Sequence, residues 1–423
     1  MKLIRVRERV ENGALADYSN VYSDTEGARA RFLSALSAFS QRYGKEREVL
    51  VLSVPGRSEI SGNHTDHNNG RVLAAAVDRD VIAIVSKRDD GVIRLYSEGY
   101  PEISLKLSEL SCDGAFEKFT SRALVFGVAN GFIKEGYQVG GYDAYLTSEV
   151  PKGSGISSSA AFEVMLGNIF SHLYNEGKVS PVMLAKIAKY AENVYFGKPS
   201  GLMDQLAVAV GGFVYIDFEN ESEPVVEPID FSLSDNGYLL AIINTGGNHA
   251  DLNDDYASVP AEMRGVARLF GKEALRGLTE EDILENIQNI RKELGDRALL
   301  RAIHFIRENE RVLEIKSALE ENKIAPFLTG VRESGNSSFK YLQNVYTNTN
   351  VKEQGLSLAL ALADGFLREE GACRVHGGGF AGTVQVFVPK ARGEEFRRYM
   401  DSVFGEGSTM TFNIRPLGAI RLF

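Results

Sequence analysis

The stretch whose residue types point most directly to chemistry is Pro151-Lys152-Gly153-Ser154-Gly155-Ile156-Ser157-Ser158-Ser159. Two glycines let the backbone bend tightly with its N–H groups turned inward, and a helix N-terminus just beyond adds partial positive charge. Gly153, Ser154, Gly155, Ile156, Ser157, Ser158 and Ser159 can therefore seat phosphate oxygens. The three consecutive hydroxyls can cap the helix, touch phosphate or reach a metal ion. An ordinary serine-capped helix after a glycine turn accounts for the same residues. The stretch follows neither G-x-x-x-x-G-K-[ST] nor G-x-G-x-x-G, so a phosphate role rests on its own geometry.

Three other stretches carry unusual polar content. Pro55-Gly56-Arg57-Ser58-Glu59-Ile60-Ser61-Gly62-Asn63-His64-Thr65-Asp66-His67-Asn68-Asn69-Gly70 packs cationic, anionic and amide groups between two apolar runs. Such density suits recognition of a polyhydroxylated ligand, although its Asn-Asn-Gly end also suits a plain turn. His64 and His67 invite a metal reading but have no third ligand nearby in sequence. Glu192 and Asp204 flank a Gly/Pro loop, as solvated caps or as a metal carboxylate and a base. Val375-His376-Gly377-Gly378-Gly379-Phe380-Ala381-Gly382-Thr383 reads by itself as a tight turn before a strand.

The elements that must position these residues follow from periodicity. Tyr142 to Thr147 alternates as a strand before the serine loop, and Phe162, Met165, Leu166, Ile169, Phe170 and Leu173 mark a helix after it. Residues 26–43, 116–134, 159–176, 181–195, 257–270, 297–321, 355–370 and 391–404 are predicted helical. Strands are expected at 48–54, 73–85, 92–96, 142–148, 213–218, 238–243, 382–388, 410–414 and 418–422. The polar stretch 220–234, with two prolines and three glutamates, is the expected linker, dividing the chain into 1–220 and 221–423. Strands and helices mix without regular βα alternation, which predicts two α+β domains with largely antiparallel sheets.

A chain of 423 residues is long enough for two or three domains, and 44% hydrophobic with 25% charged residues is ordinary for a globular protein. The net charge of -10, with no basic run, argues against nucleic acid or an anionic membrane as partner, while a local anion seat remains compatible. Cys112 and Cys373 form no framework, no run of 18 apolar residues occurs, and the expected location is cytoplasmic.

Taken in order, Pro55-Gly-Arg57 … Gly62-x-His64-Thr65-Asp66, Pro151-x-Gly-x-Gly-Ile-Ser-Ser-Ser-Ala-Ala, Gly201-Leu-Met-Asp204-Gln205 and Gly377-Gly-Gly-Phe-x-Gly382 closely resemble the galactokinases of the GHMP small-molecule kinases. His249-Ala-Asp-Leu252-x-x-x-Tyr256 and Arg301-Ala-x-His304-x-x-x-Glu308-x-x-Arg311-Val312 resemble further segments of that family. The resemblance spans Val51 to the C-terminus. It implies a two-lobed GHMP kinase fold, with a ribosomal-S5-like N-terminal domain and a ferredoxin-like C-terminal domain. It also implies that the 153–159 loop wraps ATP and that Ser159 and Glu192 hold Mg²⁺. Asp204 would be the base for a sugar's anomeric hydroxyl, Arg57 the charge stabiliser, and Asn63, His64, Thr65, Asp66, Gly201 and Tyr256 the sugar cradle. A monomer with small-molecule substrates is expected.

The chain departs from the family pattern at a few places. Asn63 stands where galactokinases usually carry Glu, and Glu59 where they carry Asn. A neutral amide at 63 would tolerate a carboxylate at the sugar's C6, which raises galacturonate or another galactose-like sugar as the alternative to galactose. No Arg or Lys appears beside Asn63 to pair such an acid, although His64 or His67 could help. Ala381 and Thr383 keep a glycine motif small, and Gly335 with Tyr341-Leu342 suggests altered packing in the second half. A non-catalytic sugar sensor of the same fold is a further alternative, against which Arg57, Ser159, Glu192 and Asp204 are all present.

Overall fold

The structure is a computed structural model that describes residues 1–110, 117–151, 153, 155–247 and 252–423. Cys112, Ser154 and the His249–Asp251 part of the tyrosine-bearing segment lie outside the described residues. In the first sheet the strands are β1 (Leu50–Ser61), β2 (Arg71–Arg88), β3 (Val92–Ser97), β4 (Ile103–Lys106), β5 (Gly141–Ser148), β6 (Phe213–Asp217) and β7 (Val225–Ile229). The second contains β8 (Tyr238–Asn244), β9 (Ala372–His376), β10 (Thr383–Pro389) and β11 (Thr409–Phe412), and β12 (Ile420–Arg421) returns to the first. The helices are α1 (Leu3–Glu11), α2 (Thr25–Tyr43), α3 (Ser121–Lys134), α4 (Ser158–Tyr174), α5 (Pro181–Tyr190), α6 (Met203–Val210) and α7 (Asn253–Leu269). They continue with α8 (Glu280–Glu285), α9 (Ile287–Leu294), α10 (Asp296–Glu320), α11 (Ile324–Ser337), α12 (Gly355–Leu367) and α13 (Gly393–Phe404).

The larger sheet runs β12-β1-β2-β5-β3-β4, with β6 and β7 added beside the first half of β2. Every pair is antiparallel except β3 with β5. Its central strands are buried on both faces, which is why they read as near-continuous apolar runs. Val51, Ile82, Ile84 and Tyr145 pack against α1 and α2, while Leu52, Val81, Ala83, Val85 and Leu146 pack against α3 to α6. The smaller sheet, β11-β8-β10-β9, is wholly antiparallel. One face buries Ile243, Val375, Val384 and Val386 against α12 and α13. The other, through Leu240, Ile242 and Phe387, shares a core with Val312, Phe327 and Val331 and with the first sheet.

Several sequence expectations are corrected. Strand β1 does not stop at Pro55-Gly56 but continues to Ser61, because register shifts between Pro55 and Arg57 and between Glu59 and Ser61 absorb the proline and re-aim the polar side chains. The 220–234 stretch is not all linker, since Val225–Ile229 pairs with β6 through backbone hydrogen bonds that do not depend on an apolar pattern. The helix expected over 181–195 ends at Tyr190 and widens into a π-helical turn over Ala191–Phe196. The helix expected from 116 begins, among the described residues, at Ser121, where Thr120 caps it. Helices α1, α6, α8, α9 and α11 and strands β4 and β9 carry no separate expectation from sequence.

Candidate active site

Arg57 follows the first bulge of β1. Its backbone N–H donates to Ile156 O at 3.1 Å, and a Cβ on Gly56 would meet that carbonyl at 2.8 Å, so Gly56 lets the serine loop lie directly on β1. The buried guanidinium donates from Nε to Asp204 Oδ1 at 2.7 Å and from Nη1 to Gly155 O at 2.6 Å. Asp204 occupies the first turn of α6, where a negative charge is favoured. Its Oδ2 accepts the Ser157 hydroxyl. Ser157 itself is held at φ 57°, a left-handed conformation uncommon outside glycine. Arg57, Asp204, Gly155, Ile156 and Ser157 are thus one contact group, although Arg57 and Asp204 are 147 residues apart.

A second carboxylate group adjoins it. Glu192 lies in the π-helical turn after α5, a distortion common at functional sites. Its oxygens receive Lys198 Nζ at 3.2 Å, Gln205 Nε2 at 3.0 Å and the Ser200 hydroxyl. The Gln205 amide also donates to Glu163 Oε2 at 3.1 Å. Glu163 is buried, and burial together with the neighbouring Glu192 charge pushes its carboxyl up to about 8. Ser159 is exposed on the first turn of α4, and Glu163, four residues on, shares its face. Glu163 and Gln205 were not singled out by sequence reasoning as site residues; the helical i,i+4 spacing from Ser159 was the available signal. Among the described residues no three His, Cys, Asp or Glu side chains converge as a metal cluster. The hydroxyl and carboxylate oxygens here are nevertheless the donor type a hard divalent cation takes, and the Lys198 ammonium already occupies a cation position at Glu192. The Glu163 Oε1 atom is buried without a hydrogen-bond partner.

The polar loop after β1 is clamped by the second half of the chain. Helix α10 presents His304 and Glu308 on one face: His304 Nε2 contacts Asn63 O at 2.9 Å, and Gly62 N–H donates to Glu308 Oε1 at 2.9 Å. Asn63 is buried with its amide fully engaged. Its Nδ2 donates to Glu59 Oε1 at 3.0 Å and Gly377 O at 2.8 Å, and its Oδ1 accepts from Asn344 at 2.7 Å. The Thr65 hydroxyl is likewise spent on backbone carbonyls of Gly62 and Arg71. These two side chains shape the loop from within. His64 Nε2 reaches Gly378 O at 2.9 Å, and Tyr256 O–H donates to Gly379 O at 2.8 Å. Burial and Asp255 push the Tyr256 phenol up to about 12. Asp66 faces Gly201, where a Cβ would lie 2.8 Å from Asp66 Oδ2. The Gly377–Gly379 turn therefore docks on the polar loop, a role its local sequence did not disclose. A cation does stand beside Asn63 in space: Arg374 of β9 pairs with Glu59 at 2.7 Å, both buried.

A glycine-bent loop thus lies at a helix N-terminus with an Arg–Asp pair against it, beside a polar loop held by the second half of the chain. A family model described as "GHMP kinases N terminal domain" matches residues 123–212, and one described as "Galactokinase galactose-binding signature" matches residues 37–87. Galactokinase from Streptomyces coelicolor is 32% identical over 371 residues, covering 86% of this chain and 91% of its own length. Galactokinase from Actinobacillus pleuropneumoniae serotype 5b is 32% identical over 373 residues with the same coverage. The crystal structure of Lactococcus lactis galactokinase complexed with galactose superposes with a TM-score of 0.77 at 24% identity, covering 92% of this chain and 99% of that one. A mevalonate kinase structure superposes at 0.57 with 16% identity over 87% of this chain and 99% of that one, a likeness of fold alone. The chain belongs to the galactokinase family and is a sugar kinase, a phosphotransferase. Among the described residues no helix is long and apolar enough to cross a membrane.

Proposed function

We propose that the chain transfers the γ-phosphoryl group of ATP to the anomeric C1 hydroxyl of galactose. The observation that carries this reading is the Arg57–Asp204 pair seated against Gly155 and Ser157. With Oδ1 held by the guanidinium, Asp204 keeps lone-pair capacity to accept the proton of a sugar hydroxyl. That oxygen attacks the γ-phosphorus as the bond to the β-phosphate oxygen breaks, and ADP leaves. Arg57 faces the charge that develops, and the 153–159 loop with the N-terminus of α4 holds the phosphates in line. Mg²⁺, when bound through Ser159 and Glu192, would neutralise β- and γ-phosphate oxygens. Asp66, Gly201, His64 and Tyr256 border the sugar position, and Asn63 and Thr65 hold its loop.

Galactose is favoured over galacturonate because Arg374, the cation that shares Glu59 with Asn63, is fully buried and already paired with that carboxylate. The intact Arg57–Asp204 contact favours an enzyme over a sensor. The test is ADP release in a screen of galactose, galacturonate, glucose and N-acetylgalactosamine with Mg-ATP. Turnover highest on galactose, with the product phosphorylated at C1, is expected. A strong preference for galacturonate, or no turnover on any aldose, would overturn the reading.

A further inference from the structure

His376 ends β9 immediately before the Gly377–Gly379 turn, and it is buried between the two sheets. Its hydrogen bonds fix its tautomer. Gln385 Nε2 donates to the Glu59 carbonyl at 2.8 Å, an acceptor only, which orients that amide; the same nitrogen donates to Ser58 Oγ at 2.6 Å. The Ser58 hydroxyl proton is then left for His376 Nε2, 3.0 Å away. Nε2 is the acceptor, so Nδ1–H donates to Thr383 Oγ1 at 3.0 Å. Burial, with Arg57 and Arg374 nearby, holds this imidazole well below the usual histidine range, which agrees with a neutral ring.

The phosphate loop rests on this pair. A Cβ on Gly155 would lie 2.9 Å from His376 Nδ1 and 3.0 Å from Thr383 Oγ1. On its other side the Gly155 carbonyl is held by Arg57 Nη1 at 2.6 Å. Ser58, which orients the imidazole, is the residue after Arg57 on β1. The second sheet thus supports the loop from beneath while β1 grips it from the flank. Thr383, which from sequence looked like a neutral change in a glycine motif, is half of the support.

We infer that His376 and Thr383 are positioning residues that set the phosphate loop at Gly155 from the second sheet, so that nucleotide affinity depends on their hydrogen bond. This rests on reading the 153–159 loop as the nucleotide phosphate site. The test is calorimetric titration of the full chain with Mg-ADP and, separately, with galactose. The parent is compared with Thr383→Val, Thr383→Ser, His376→Ala and the double variant His376→Ala/Thr383→Val. Losing one buried hydrogen bond predicts an ADP dissociation constant about five- to tenfold higher in Thr383→Val. Thr383→Ser should stay within about twofold of the parent, and galactose affinity should hold in both. Once His376 is alanine, adding Thr383→Val should cost nothing further, the mark of a shared contact. Equal ADP affinity in Thr383→Val, Thr383→Ser and the parent would overturn the inference. So would a parallel loss of ADP and galactose affinity with a lowered melting temperature, which marks a merely structural pair. A parent that binds no ADP would overturn the nucleotide reading and this inference together.

Discussion

At the residue scale the site depends on charges brought together over long stretches of chain. Asp204→Asn keeps the shape of the carboxylate but removes its capacity to take a proton. We expect kcat to fall by at least about two to three powers of ten while Mg-ADP affinity is retained. Arg57→Ala should lower kcat comparably. Steady-state kinetics and calorimetry check both, and a fully active Asp204→Asn enzyme is incompatible with the assigned base. The Glu59–Arg374 pair makes a different demand. Both groups are buried, and Arg374 Nε and Nη1 have no hydrogen-bond partner. Glu59→Gln leaves that guanidinium uncompensated, which should cost about 3–5 kcal/mol of unfolding free energy in urea. A change below about 1 kcal/mol would mean that the pair contributes little.

At the element scale, glycine is required where one backbone lies on another element. Gly155 combines φ +75° with no room for a Cβ above His376 and Thr383. Gly155→Ala is therefore expected to weaken Mg-ADP binding at least tenfold in calorimetry, with galactose affinity nearly unchanged. Gly335 lets α11 press on β9, since a Cβ there would meet Cys373 O at 2.7 Å and Arg374 Cβ at 2.9 Å. Gly335→Ala should cost about 1–3 kcal/mol by urea denaturation, the range for overpacking, because the obstacle is backbone that cannot swing away. The altered packing suggested by Gly335 in the sequence is in this structure a close helix–strand approach.

At the scale of the whole molecule, buried acids join distant parts. Asp80 accepts from Arg31 of α2, Ser53 of β1, Tyr22 and Arg415, which lies just before β12. Glu308 joins α10 to Gly62 and to Ser334 of α11, with Arg311 of the same helix as its counter-charge. Burial pushes both carboxyls up, but Arg31 and Arg415 for Asp80, and Arg311 with His304 for Glu308, outweigh it and hold each at about 2. Their ordinary values are 3.8 and 4.5, so protons bind more tightly in the unfolded chain. The stability they contribute is complete above those ordinary values and is lost as pH falls toward about 2. Unfolding free energy should therefore drop steeply over that acid window. Asp80→Asn and Glu308→Gln, less stable at neutral pH, should show a shallower drop, and an unchanged slope in both variants would refute the assignment.

The sequence by itself determined what is local. Apolar alternation marks the central strands, 3.6-residue spacing marks α2, α4, α7, α10, α12 and α13, and glycines before a run of serines mark a loop that can seat phosphate. Ordered motifs separated by many residues identified the family. Tertiary structure alone decided which polar side chains are engaged by distant parts of the chain and which are left open. Asn63 and Thr65 look from sequence like ligand contacts but are consumed inside the loop, whereas His376 and Thr383, in a stretch that reads as a plain turn, underlie Gly155. Val225–Ile229 shows the same division, because the glutamates and prolines around Val225, Val226 and Ile229 hide a strand whose edge is completed by backbone hydrogen bonds to β6. The physical reason is range: periodicity reports each segment's own burial, while the partner of a charge or the room for a Cβ depends on how two sheets pack across the chain.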